Sequence, residues 1–390
     1  MKAKKFWSGV LVLAMGCSMA LSLSACNKGS NNVSSSSRGQ DLPTLSVTEF
    51  RDSVSLVYQN VLSYMEATPD SLVSLYLSGD TTRTDQSKAI GISYEWDSET
   101  EPEVESAEVQ FSLTEDFSVI ETTTPIKADK TSCVTYNLKT GSHYYFRVNV
   151  TVEGGQTVSK TGEFDTKKSP RMIYLEGASN VRDIGGWMTD SGKEIKQGLL
   201  YRGGEIDGGK NTGHPDFCLT ETGIEQLRAL GIKTDFDLRS ESNKVGENSI
   251  LGADVSRTFY DAFQYLDALK ASNAETTRSI FSDLAKPEKY PVYLHCTHGV
   301  DRAGTTALLL EALLGVSAED LVRDYELSAF YYNYKHIHRN FDENGGPITK
   351  VIEELEKYEG EKLSDKTANF LLSIGVTETE IASIRNIFLG

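Results

Sequence analysis

Apolar and polar positions alternate strictly in three stretches of the first half of the chain. Ile90-Gly91-Ile92-Ser93-Tyr94-Glu95-Trp96, Ala107-Glu108-Val109-Gln110-Phe111-Ser112-Leu113 and Tyr144 to Val152 each show the period of two that a half-buried strand requires. Gly154-Gly155 closes the last stretch with a turn. The segment 89–165 is therefore expected to be a β-sandwich of short antiparallel strands. Residues 45–80 carry a mixed pattern, with Val54, Leu56, Val57, Val61 and Leu62 in partial helical register, and are assigned to the same N-terminal domain. From Ile173 onward the period changes. Thr222 to Leu230 is an amphipathic helix stopped by Gly231, and Ile232 to Leu238 reads as a strand. Val292-Tyr293-Leu294 is a short buried strand, Ala307 to Leu314 a helix ended by Gly315, and Ser317 with Asp320 the start of the next helix. Strands separated by helices predict an α/β fold with a mostly parallel sheet flanked by helices.

The first residues carry a different pattern. Lys2, Lys4 and Lys5 precede an apolar run from Phe6 to Leu23, which ends at Leu23-Ser24-Ala25-Cys26. Small residues just before a cysteine at the end of such a run resemble a bacterial lipoprotein signal peptide. The resemblance implies cleavage of residues 1–25, lipid on Cys26, and an exported protein held at a cell-surface or periplasmic-side membrane. Residues 26–42, rich in serine and asparagine, are expected to be a flexible tether. The remaining boundaries are 43–168 for the β-domain and 172–390 for the α/β domain.

The formal net charge of −17 argues against nucleic acid as a partner, since a phosphate backbone needs a basic surface. Any phosphate site must then be built locally. Of five cysteines, Cys17 is expected to leave with the signal and Cys26 to take lipid; Cys133, Cys218 and Cys296 are far apart and odd in number, which is no disulfide framework.

Cys296 opens the segment that carries the chemistry: His295-Cys296-Thr297-His298-Gly299-Val300-Asp301-Arg302-Ala303-Gly304, between a buried strand and a helix. Backbone N–H groups in such a loop, ending at a helix N-terminus, form an anion site. The same field is expected to hold Cys296 as a thiolate, well below the free value of about 8.5. Gly299 and Gly304 permit the tight turn, and Arg302 can fold back and grip two phosphate oxygens.

This segment resembles the signature loop of protein-tyrosine-phosphatase-like enzymes. Three further segments, Asn180 to Gly186, Leu199 to Gly204 and Asp235 to Ser240, resemble in order those of the bacterial secreted tyrosine phosphatase family. The resemblance implies attack of Cys296 on phosphorus, a phosphocysteine intermediate and its hydrolysis, with no metal or other cofactor. It implies a phosphotyrosine protein or a small phosphate monoester as substrate. Thr297, His298, Gly299, Val300, Ala303 and Gly304 are the expected phosphate-loop contacts. Asp301 and Asp261 are the two candidate proton donors, with Asp237 a third. Arg239 is expected at the substrate edge, and Arg182 with Asp183 as a buried pair. Val300 replaces a family lysine, which predicts a preference for phosphotyrosine over inositol polyphosphates; Ala303 replaces a hydroxyl residue, which predicts either slow turnover or a role shared with Asp301. Two alternatives stay open: a binding protein with a degenerate phosphatase fold, and a phosphatase acting on inositol phosphates. Leu138 to Val148 resembles the corner of fibronectin type III modules, where a tyrosine hydroxyl ties the turn to the backbone. That domain would act as a spacer or as a surface for a protein partner.

Overall fold

The computed structural model describes residues 42–68, 71–77, 82–208, 215–243, 245–331 and 346–390. The expected signal segment, Cys26 and nearly all of the expected tether lie outside them. Among the described residues no helix is long and apolar enough to cross a membrane.

The N-terminal half builds two antiparallel sheets. One has the order β1 (Leu45–Val47), β2 (Ile90–Trp96), β5 (Ser132–Thr135); the other runs β4 (Ile120–Ile126), β3 (Val104–Ser112), β6 (His143–Val152), β7 (Thr157–Asp165). Both contribute to one hydrophobic cluster. Along β6, Tyr144, Phe146, Val148, Val150 and Val152 are buried, while the intervening residues are less so, because successive side chains of a strand point to opposite faces. The Tyr144 hydroxyl accepts a hydrogen bond from the Lys139 N–H at 2.9 Å and pins the corner before β6.

The segment between β1 and β2 does not stay with these sheets. Val57, Val61, Leu62 and Tyr64, around α1 (Gln59–Met65), and Val73 pack into the core of the C-terminal half. Arg323 fastens them there, donating to the carbonyls of Met65 (2.6 Å) and Ala67 (2.8 Å). This corrects the placement of 57–77 in the N-terminal domain. Its apolar face is covered by α5 (Ala318–Glu326) and the turn at Phe330, not by the strands.

The C-terminal half is a five-stranded sheet in the order β11 (Ser256–Phe259), β10 (Thr234–Asp237), β12 (Val292–His295), β9 (Leu200–Gly203), β8 (Arg182–Asp183). The first four strands are parallel, and β8 is antiparallel to β9. All four residues of β12 are buried, as expected of a central strand covered on both faces. Val292 and Leu294 face the large core, and Tyr293 faces the opposite side with Tyr201. That second side is covered by α2 (Glu221–Ala229), which starts on a Thr220 cap. The large core takes α3 (Ala274–Leu284), α4 (Arg302–Leu314), α5, α6 (Pro347–Leu355), α7 (Leu363–Ser373) and α8 (Glu378–Leu389). α4 is buried from Ala303 to Leu314 and stops at Gly315, left-handed at φ +96°. The parallel arrangement puts the C-terminal ends of β9, β10, β11 and β12 at one edge, where ligands of such sheets bind.

Candidate active site

β12 delivers Cys296 to that edge, and the chain turns through 297–301 into the first turn of α4. The loop's carbonyls are tied outward one after another. Thr297 C=O accepts from the Glu205 N–H (3.1 Å), His298 C=O from Asn180 Nδ2 (3.1 Å) and Gly299 C=O from Arg202 Nη2 (2.8 Å). In a planar trans peptide the N–H points opposite to the C=O. Three successive outward carbonyls therefore turn the N–H groups of His298, Gly299 and Val300 to the inner side of the loop. No described residue accepts from the Gly299 or Val300 N–H. Gly299 sits at φ +75°, and a Cβ there would lie 2.5 Å from the Gly203 carbonyl oxygen and 2.7 Å from the Gly204 nitrogen. A Cβ on Gly304 would meet Arg202 Nη2 at 2.7 Å, so this glycine makes room for the arginine behind the loop. Arg302, at the start of α4, folds back to donate to Thr297 Oγ1 at 3.1 Å, closing the ring around the amides.

Behind the loop lies a buried ion cluster. Asp324 accepts from Arg182 Nε (2.8 Å) and Arg202 Nη1 (2.6 Å), and Asn180 Oδ1 accepts from Arg182 Nη1 (2.7 Å). Burial would raise Asp324, but the two guanidinium groups hold it below the usual carboxylate range. Burial and the neighbouring Arg182 push Arg202 down to about 10 against the pull of Asp324. Glu311 is fully buried, and burial with Asp324 nearby raises its pKa well above the usual carboxylate range. Two guanidinium groups, Arg182 and Arg202, thus meet at the Asp324 carboxylate behind the loop. His295, also fully buried, lies 2.9 Å from Asp235, although the N–H is not aimed at the carboxylate. Burial alone would lower its pKa; Asp237 and Asp235 outweigh it and keep His295 protonated above its ordinary value.

The structure separates the expected site residues into groups. Cys296, Thr297, His298, Gly299 and Arg302 are brought together at the loop. Asp301 caps its end, 9% exposed, and accepts a short hydrogen bond from the Tyr265 hydroxyl, which also meets Tyr325 at 2.8 Å. Asp261 is exposed on the stretch after β11, at the same edge of the sheet. Five expectations need correction. Val300 and Ala303 are wholly buried, in the same large core cluster as Cys296 itself (1% exposed), so neither side chain is an open contact at the mouth of the loop. The argument from a missing lysine at 300, which needs an open position, therefore falls, and so does an open contact through the side chain of 303. The nearby Thr305 hydroxyl is committed to the Asp301 carbonyl (2.7 Å) and the Tyr265 N–H (2.8 Å). Asp237 and Arg239 are also fully buried: Arg239 bonds Asp237, both oxygens of Asp207 (2.7 Å each) and Glu205 (3.0 Å), and Arg257 joins Asp237 from the other side. That network fixes strand ends and occupies every N–H of the Arg239 side chain, so Arg239 has no donor left for a substrate. Finally, Arg182 and Asp183 do not pair with each other. Arg182 serves Asp324, and Asp183 takes Arg171 at 2.8 Å.

Four supporting residues went unassigned in the sequence reading: Asn180, Arg202, Asp324 and Tyr265. Asp324 had a signal, because it lies on the apolar face of α5 between Leu321 and Tyr325, where an acid needs a buried partner.

A thiol and a guanidinium bracketing an amide-lined loop, backed by the buried Arg182–Asp324–Arg202 cluster, define the class of cysteine phosphatases. The sequence profile described as "Tyrosine phosphatase family" matches residues 173–390, and the chain belongs to that family. Among curated proteins, the chain is 28% identical over 179 residues to a candidate tyrosine-protein phosphatase of Cupriavidus necator (39% of this chain, 61% of that protein). It is 29% identical over 135 residues to a tyrosine-protein phosphatase of Nostoc commune (29% of this chain, 46% of that protein). The chain thus spans less than two thirds of the length of these relatives. Among solved structures it is similar to the core catalytic domain of a PP-IP phosphatase from S. cerevisiae bound to citrate, with 12% identity and a TM-score of 0.28, covering 42% of this chain and 87% of that one.

Proposed function

We propose that the protein is an exported phosphatase, anchored by lipid on Cys26, that hydrolyses phosphotyrosine-type monoesters through a phosphocysteine on Cys296. The observation that carries the reading is the loop itself: three consecutive carbonyls are tied outward, which turns the amides of His298, Gly299 and Val300 inward. In the first step the Cys296 thiolate forms the S–P bond as the ester P–O bond breaks, and Asp301 gives its proton to the leaving oxygen. In the second, water forms the new O–P bond, the S–P bond breaks, and the water proton goes to the Asp301 carboxylate. Asp301 is preferred to Asp261 because it adjoins Arg302 and is held at the end of the loop by Tyr265. The equatorial oxygens that gain charge are met by loop amides and Arg302. The preference for a monoester over a polyanionic inositol phosphate rests on the acidic chain, whose field opposes extra charge. The N-terminal sheets are read as a fibronectin type III-like module that acts as a spacer or protein-partner surface; the Tyr144–Lys139 bond supports that reading.

The test is hydrolysis of a simple aryl phosphate by the full chain in the presence of a chelator. Sustained turnover, abolished in Cys296→Ser, is expected. A wild-type chain that leaves the aryl phosphate intact overturns the reading in favour of a phosphate-binding module.

A further inference from the structure

The loop's outer support reaches a part of the chain that precedes the family-matched residues. Asp85 is wholly buried, and its Oδ2 accepts the backbone N–H of Asn180 at 2.7 Å across 95 positions of sequence. Asn180 is left-handed at φ +56°, and its side chain is the group that holds the His298 carbonyl. Arg83 closes on Asp85 as a two-pronged fork (3.1 Å to each oxygen) and donates to the Ala178 carbonyl at 2.8 Å, gripping the same turn twice. A second arm reaches the His298 ring. Arg83 pairs with Asp216 at 3.6 Å and lies over Tyr331, whose hydroxyl donates to Asp216 at 2.9 Å. Phe217 then packs edge-on against both Tyr331 and His298.

We propose that Asp85, braced by Arg83, is a positioning residue for the signature loop, so that the phosphate affinity of the site depends on a segment of the N-terminal half. The inference rests on the phosphatase reading for its chemistry. Its physical basis is a chain of three bonds. A carboxylate acceptor makes a stronger bond to an amide than a neutral oxygen does. Fixing the Asn180 N–H fixes the direction of its side chain, and the side chain fixes the His298–Gly299 peptide, whose N–H is one of the loop's inward donors. Loosening Asp85 lets that peptide rotate and costs the phosphate one aligned donor.

The experiment uses the full chain and inorganic phosphate as probe, with affinity read by calorimetry and, separately, KM and kcat for an aryl phosphate. Asp85→Ala is expected to weaken phosphate binding about tenfold and to raise KM in step. Asp85→Asn keeps an acceptor oxygen for the Asn180 N–H and should recover most of the affinity. A merely structural role would lower the active fraction, and so apparent kcat, while leaving phosphate affinity and KM unchanged. If Asp85→Ala does not fold, Arg83→Ala, at a residue with a partly exposed side chain, decides. A several-fold loss of phosphate affinity supports the proposal and an unchanged affinity overturns it. Failure of Asp85→Asn to improve on Asp85→Ala also overturns it. Phosphate binding needs no turnover, so a chain that binds phosphate but hydrolyses nothing sinks the phosphatase reading alone.

Discussion

Replacing Gly299 with alanine tests the loop geometry with the smallest possible change. The residue is at φ +75°, where an L side chain is strained by about 1–2 kcal/mol. The added Cβ would also stand 2.5 Å from the Gly203 oxygen and 2.7 Å from the Gly204 nitrogen, backbone atoms at the end of β9 that cannot swing aside as a side chain could. Ordinary carbon contacts lie at roughly 3.5–4.0 Å, so the loop must retreat by about 1 Å. A misplacement of about 1 Å in a positioned site costs on the order of 100-fold in rate. We therefore expect kcat/KM for an aryl phosphate to fall about 100-fold, equivalent to about 2.7 kcal/mol of transition-state stabilisation. The unfolding midpoint should drop by only a few degrees, about 2–4 °C for each kcal/mol of strain. Steady-state kinetics and a thermal melt on the same preparation separate the two effects. Activity within about twofold of wild type, with φ at 299 still positive, would refute the claim that inward amides at this peptide hold the transition state.

Asp301→Asn should slow hydrolysis of alkyl phosphates far more than that of aryl phosphates with acidic phenols, since only a poor leaving group needs the proton; equal losses on both would remove Asp301 as the acid. His295 is held protonated above its ordinary value by Asp237 and Asp235, so its contribution to stability is complete below about pH 6.5 and is lost as pH rises through the raised folded value. Melts of wild type and His295→Gln should therefore converge at alkaline pH, and a gap that widens there would contradict the assignment. Val300→Lys would bury an unpaired ammonium in the core at a cost of about 3 kcal/mol, so a large drop in the unfolding midpoint is expected instead of a gain in inositide hydrolysis.

The parts of this protein legible from sequence are those whose signal is local. The period of two in β6, the stop at Gly315 and the Ser317 cap are fixed by neighbours a few residues away. The Cys296–Arg302 segment was legible because its residue types have few other uses in that order. The side-chain direction at 300 was misread by following the resemblance: valine is apolar, and the interior was its ordinary place. What supports the loop could not be read, because it depends on long-range pairs. Arg182 meets Asp324 across 142 positions and Asp85 meets Asn180 across 95, with no periodicity to announce either. The crossing of 57–77 into the C-terminal core was obscured for the same reason. A short apolar stretch reads the same whichever core covers it.

The central claim is that Cys296 attacks phosphorus. The most direct measurement is a rapid acid quench of the full chain during turnover of an aryl phosphate, followed by digestion and mass spectrometry. The account predicts a phosphate adduct on the peptide containing Cys296, formed in a burst matched by phenol release and absent in Cys296→Ser. Steady turnover with no adduct on that peptide, or with Cys296→Ser still active, would contradict it.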